Sequence, residues 1–137
     1  MPRVWEKVYL GVNAALAADA DKKQKFDEAV AAALPIMQAR RQATITQDQQ
    51  ETWDFLDAVA FSTVRDLVGL DSLRLGITGA APITREVLEW FNALGIPLSE
   101  IYGMSETTGP MTWEAHPDRI KPGTVGPAIP GCEVRIA

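Results

Sequence analysis

Apolar side chains recur every three or four positions through the first half of the chain, and the period shortens in the second half. Trp5, Val8, Val12 and Leu16 form one stripe, and Phe26, Val30, Ala33 and Met37 form another. That spacing puts each set on one face of an α-helix. The Asp19–Asp21 stretch predicts the turn between the two helices. Pro35 lacks the donor that the helical ladder needs, so the second helix is expected to bend or stop there. Leu56, Val59, Val64 and Leu67 give a third stripe, closed by Gly69 as a left-handed cap. Residues 1–70 read as a helical segment.

Beyond Leu70 the pattern alternates. Leu73-Arg74-Leu75-Gly76-Ile77 predicts a short strand, and Gly79-Ala80-Ala81-Pro82 a tight loop of small residues. Thr84 is placed to cap a helix whose first turn carries Glu86, an acid suited to the positive end of the helix dipole. Val87, Leu88, Phe91 and Leu94 give that helix its apolar face, and Gly95 with Pro97 ends it. Leu98 to Tyr102 predicts a second strand. Strand, loop, helix, strand over residues 71–109 is a βαβ unit with parallel strands, so the fold class is α/β. Residues 110–137, punctuated by Pro110, Pro117, Pro122, Pro127 and Pro130, predict a winding loop. Glu133-Val134-Arg135-Ile136 is expected to begin a further strand.

The composition narrows the function classes. With 137 residues and 47% apolar content, the chain suits one compact domain with its own core. A net charge of −5 argues against nucleic-acid binding, which needs clustered Lys and Arg. Lys22, Lys23 and Lys25 do cluster, but Asp19, Asp21, Asp27 and Glu28 interleave with them, as on a solvated face. The single cysteine, Cys132, excludes an intramolecular disulfide and a cysteine-built zinc site, and is expected to be a small packed side chain in a reducing, cytoplasmic setting. No apolar run approaches the roughly 20 residues of a membrane-spanning helix. Tyr9 to Ala18 follows Arg3 and Lys7 in the crude manner of a signal peptide, but Glu6, Asn13 and the helical spacing favour an ordinary helix. His116 lies beside Pro117 with no second partner near it, as expected of an exposed loop histidine, and Trp113 is expected to pack.

Two loops carry candidate chemistry. Each follows a strand expected to lie in one sheet, and ligands usually bind at the carboxyl edge of an open α/β sheet. Thr78-Gly79-Ala80-Ala81-Pro82 has so little side-chain bulk that a flat ring could lie on its backbone. Tyr102-Gly103-Met104-Ser105-Glu106-Thr107-Thr108-Gly109 supplies an aromatic, a hydroxyl and a carboxylate within five residues. An aromatic face stacks on a purine, a hydroxyl donates to a phosphate oxygen, and a carboxylate suits hydrated Mg²⁺. Each loop alone is equally explained by a packed strand-end tyrosine, a turn serine and a solvated acid.

Tyr102-Gly103-Met104-Ser105-Glu106-Thr107 resembles the signature of the adenylate-forming, AMP-binding superfamily. The small-residue loop upstream and Gly123-Thr124-Val125-Gly126-Pro127 with Pro130-Gly131 downstream are similar to the segments that accompany it. Pro2-Arg3-Val4-Trp5-Glu6-Lys7 and Gly79–Pro82 resemble the long-chain, bubblegum-like fatty-acyl-CoA synthetases. The resemblance implies part of a large N-terminal domain and an AMP-forming ligation of fatty acid to CoA through an acyl-adenylate. ATP, Mg²⁺ and CoA are the implied cofactors and co-substrates. Gly79, Ala80 and Ala81 would form one wall of the adenine pocket and Tyr102 the other, with Gly103 and Met104 beside the acyl-adenylate. Ser105, where most relatives carry threonine, would contact the α-phosphate, and Glu106 would hold Mg²⁺. The family's lysine-bearing phosphate loop, ribose-binding aspartate and mobile C-terminal lysine have no counterpart in these residues. The 137-residue polypeptide is therefore expected to be inactive alone, as a fragment, a split-enzyme half with a complementing chain, or a non-catalytic binding module. A cytoplasmic or membrane-peripheral location is what the resemblance implies.

Overall fold

The computed structural model describes residues 2–136. Helices α1 (Pro2–Leu16), α2 (Ala20–Arg41), α3 (Gln47–Leu56) and α4 (Ser62–Leu67) fill the first half, with a π-helical turn at Asp57–Phe61 joining α3 to α4. Strand β1 (Gly76–Gly79), helix α5 (Arg85–Ala93), β2 (Leu98–Met104) and β3 (Gly109–Trp113) follow. The sheet order is β1-β2-β3, parallel between β1 and β2 and antiparallel between β2 and β3. The chain is thus mixed α/β, helices first and a small sheet after. Among the described residues no helix is long and apolar enough to cross a membrane.

Local signals set the helix limits. Asp19 caps α2 by accepting the Lys22 amide at 3.1 Å, and Thr46 with Gln49 forms a reciprocal capping box at the start of α3. Gly69 (φ +71°) and Gly95 (φ +74°) end α4 and α5 in the left-handed conformation. In both cases the next two amides return to carbonyls of the last turn: Gly69 to Asp66 and Leu70 to Arg65, Gly95 to Asn92 and Ile96 to Phe91.

Five expectations need correction. Helix α2 does not stop at Pro35 but runs through it to Arg41. Pro35 and Ala31, whose carbonyl loses its partner, both face solvent, while Ile36, Met37 and Ala39 beyond them are buried. The freed carbonyl lies on an exposed face within reach of water, and packing holds the last turns. The third stripe holds only in part: Val64 is buried and Leu56 packs against the core, but Val59 is 59% and Leu67 76% exposed, and Phe61 is fully buried instead. The π-turn widens one helical turn and rotates a different face inward. Strand β1 starts at Gly76, not Leu73, because the Gly76 amide is the first to reach across, to the Pro97 carbonyl at 2.8 Å. Finally, residues 109–113 form a strand where a loop was expected, and Glu133–Ile136 are irregular where a strand was expected. The antiparallel pairing of β3 with β2, and of Trp113 and Met111 with Pro127 and Ile129, is non-local and leaves no periodic trace.

The core centres on α5. Val87, Leu88, Phe91 and Leu94 are all buried, as their spacing predicts, together with Trp90, Ile96 and Leu98. Trp90 and Phe91 lie edge to face at 4.9 Å and reach both flanking helices. Phe91 meets Trp5 of α1 at 5.3 Å, while Trp90 meets Tyr9 of α1 at 5.3 Å and Phe26 of α2 at 6.2 Å. Phe26 in turn contacts Phe61 at 6.0 Å. Such pairs add roughly 0.5–1.5 kcal/mol each beyond their burial. Trp5 also donates its indole N–H to the Ile77 carbonyl at 3.1 Å, and its ring would lie 2.9 Å from a Cβ at position 76. A side chain at position 76 would have to displace the indole. At the other end of α5, Trp53 donates to the Ala93 carbonyl, and Arg65, paired with Asp57, donates to the Leu94 carbonyl at 2.7 Å.

Phe91→Ala removes the centre of this cluster. We expect it to cost about 3–5 kcal/mol, enough to abolish or nearly abolish cooperative unfolding in a urea titration. Val59→Ala, on the exposed face, should change stability by less than about 0.5 kcal/mol in the same titration.

Candidate functional site

Parallel pairing of β1 and β2 aligns their carboxyl ends. Gly76 sits opposite Leu98, and Gly79 opposite Ile101. The small-residue loop that leaves β1 and the Tyr102–Thr107 segment that ends β2 therefore emerge side by side at one sheet edge. Ala80 adopts φ +68°, which turns the chain away from β1 before Thr84 starts α5. Thr84 occupies the N-cap position with extended backbone, yet its hydroxyl makes no capping bond. Glu86 in the first turn accepts the Tyr9 hydroxyl at 2.8 Å, and burial followed by this carboxylate raises the tyrosine's pKa. Helix α1 is thus fastened to the start of the helix that follows the first loop.

The second loop is built on one glycine. Strand β2 carries an irregularity between Tyr102 and Gly103, after which Gly103 pairs with Pro110 and Met104 with Gly109. A Cβ at position 103 would lie 2.2 Å from the Gly109 carbonyl oxygen, a distance no side chain tolerates. Ser105–Thr107 then makes a single 3₁₀ turn, closed by the Thr108 amide on the Ser105 carbonyl at 3.1 Å, with Thr108 itself at φ +62°. Thr107 ties the turn together: its Oγ1 accepts the Met104 amide at 3.1 Å and lies 2.8 Å from the Gly109 carbonyl oxygen and 2.9 Å from that of Met104, either of which it can donate to.

Tyr102, Gly103, Met104, Ser105 and Glu106 are all exposed, as are Ala80 and Ala81, and Gly79 is half-buried. Tyr102, 44% exposed, is opposite Thr112 of β3. The two sets of residues singled out from the sequence lie at one sheet edge, exposed or half-buried. Glu106 stands alone as a metal candidate, since the described residues contain no cluster of three or more His, Cys, Asp or Glu. A single carboxylate still fits Mg²⁺, which usually retains waters and takes its other ligands from phosphate oxygens. Glu100, two residues before Tyr102 on β2, is half-buried, and burial raises its carboxyl above the usual range. Thr107 was not among the sequence-predicted site residues; its role is structural and depends on backbone geometry that spacing does not reveal. His116 is exposed and Cys132 half-buried and free, in line with the bland reading of each.

The family model described as AMP-binding enzyme matches residues 1–137. The chain is 34% identical over 142 aligned positions to a protein assigned as fatty-acid–CoA ligase fadD11 of Mycobacterium tuberculosis, covering 100% of this chain and 24% of that protein. It is 34% identical over 136 positions to long-chain-fatty-acid–CoA ligase ACSBG2 of Xenopus laevis, covering 99% of this chain and 18% of the relative, and 42% identical over 78 positions to ACSBG2 of Gallus gallus, covering 57% and 10%. The chain spans about a quarter or less of the length of these curated relatives. No solved structure matches it significantly.

Thr107→Val keeps the shape of the side chain and removes the hydroxyl that closes the turn. Hydrogen exchange at the Met104 amide should accelerate, and stability should fall by about 1 kcal/mol. Thr107→Ser should leave both near the parent values.

Proposed function

The chain belongs to the AMP-binding enzyme family, and we propose that it contributes the adenylate-binding edge of a fatty-acid–CoA ligase. The observation that carries this reading is the alignment of Gly79 with Ile101, which brings the small-residue loop and the Tyr102–Glu106 segment to the same sheet edge. We divide the chain accordingly: 1–70 as a helical support, 71–109 as the βαβ unit bearing the adenylate loops, and 110–137 as the segment that follows.

In this proposal adenine lies between the Gly79-Ala80-Ala81 backbone and the Tyr102 ring. The small residues exclude no volume from a flat base, and the tyrosine face stacks on it. Gly103 and Met104 border the acyl-adenylate. The Ser105 hydroxyl donates to the α-phosphate, a role the missing methyl relative to threonine does not affect. Glu106 would hold Mg²⁺, which supplies charge neutralisation at the phosphate oxygens when bound. The reaction proposed for the full ligase joins a fatty-acid carboxylate to the α-phosphate of ATP with release of pyrophosphate. CoA thiol then displaces AMP. The chemistry asked of these residues is positioning and electrostatic stabilisation, since the reacting groups come from the substrates. Groups that would cradle the pyrophosphate end of ATP are not among these 137 residues, so this polypeptide by itself is proposed to bind an acyl-adenylate without turning over.

A thermal melt with and without a non-hydrolysable palmitoyl-adenylate analogue and Mg²⁺ tests the reading. A ligand that binds only the folded state raises the midpoint, by about 2.7 kcal/mol of added stability at a hundredfold excess over Kd. We expect an upward shift in the parent chain and a much smaller one in Glu106→Ala. A cooperative melt with no shift at saturating analogue would overturn the proposal.

A further inference from the structure

A cavity of about 580 Å³ opens between the last turns of α2, one face of α5 and the loop after the Pro117–Arg119 turn. It shares no residue with the 79–81 and 102–106 set. Four cationic side chains line it, Arg41, Arg85, Arg119 and Lys121, against one carboxylate, Glu89. This concentration of positive charge sits in a chain whose net charge is −5. Glu89 is already engaged by Arg85 at 2.6 Å, and Arg41 makes no ion pair among the described residues. Leu34, Met37 and Pro122 complete the wall with apolar surface.

Left to itself this arrangement is unfavourable. Like charges converge on the cavity, with Arg41 half-buried and Arg85, Arg119 and Lys121 exposed around it. Arg41 registers the burden: burial lowers its pKa, Glu89 offsets this and Arg85 adds to it. A bound anion relieves that repulsion. We propose that this cavity binds a small anion carrying one or two phosphoryl groups, held by Arg41, Arg119 and Lys121. Phosphate fits the donor set better than a carboxylate. Its several oxygens accept from donors on two separate segments, the end of α2 and the 117–121 stretch, and guanidinium forks match its geometry.

The test is calorimetric titration of the chain with inorganic pyrophosphate, inorganic phosphate and glycerol 3-phosphate, with citrate as a phosphorus-free polyanion. Saturable binding of a phosphate compound, weakened at least about tenfold in the double variant Arg119→Gln/Lys121→Gln, is the expected result. Both side chains are exposed, so the thermal melt of that variant should match the parent. Arg41→Gln should weaken binding as well, and Glu106→Ala should leave it unchanged. The two phosphate sources separate in the titrations: tighter binding of pyrophosphate identifies a free diphosphate site, and tighter binding of glycerol 3-phosphate a phosphate-ester site. No saturable binding, equal affinity for citrate, or affinity unchanged in both variants would overturn the proposal.

Discussion

The edge-to-face stack of Trp90 and Phe91 is the contact on which the rest of the structure depends. Helix α5 is short, nine residues, below the length at which a helix is stable alone. Its persistence comes from the aromatic partners that α1 and α2 supply. Those same partners fix the sheet, since Trp5 both packs on Phe91 and bonds to the Ile77 carbonyl of β1. Leu88, Leu94, Ile96 and Leu98 carry the burial onward from α5 into β2. The helical half is therefore the support that holds β1, α5 and β2 in register, and the two loops at their carboxyl edge inherit that rigidity.

A division of labour follows. Support residues are buried and apolar, while the residues proposed to meet a nucleotide are small, polar or half-exposed and stand on backbone geometry that few alternatives satisfy. Gly103 is needed because its neighbour's carbonyl occupies the space of a side chain, and Thr107 because its hydroxyl bridges both ends of the turn. Substitutions in the support lower stability throughout, whereas those at Tyr102 or Glu106 should spare it, since their side chains face solvent.

Much of this was legible in the sequence, for physical reasons. The stripes of α1, α2 and α5, the helix-ending glycines at 69 and 95 and the parallel βαβ unit follow from local periodicity and backbone preference, which sequence spacing records directly. The π-turn at Asp57–Phe61 was not legible, because a single widened turn changes the inward face without changing composition. Strand β3 was hidden by Gly109 and Pro110, which suit an irregular edge as well as a loop, and only pairing with β2 decides between them. The candidate site was readable as two loops, but their joint meaning came from family resemblance. The cationic cavity had no sequence signal: Arg41, Arg85 and Arg119 are far apart in the chain and meet only after folding.

The central claim is that the two loops form a single adenylate-binding surface supported by α5. Amide chemical-shift mapping of the isotopically labelled chain with the palmitoyl-adenylate analogue measures this most directly. The account predicts that amides of Gly79, Ala80 and Ala81 and those of Tyr102 to Glu106 shift together along one saturation curve. Shifts confined to one loop, or centred away from both, would contradict it.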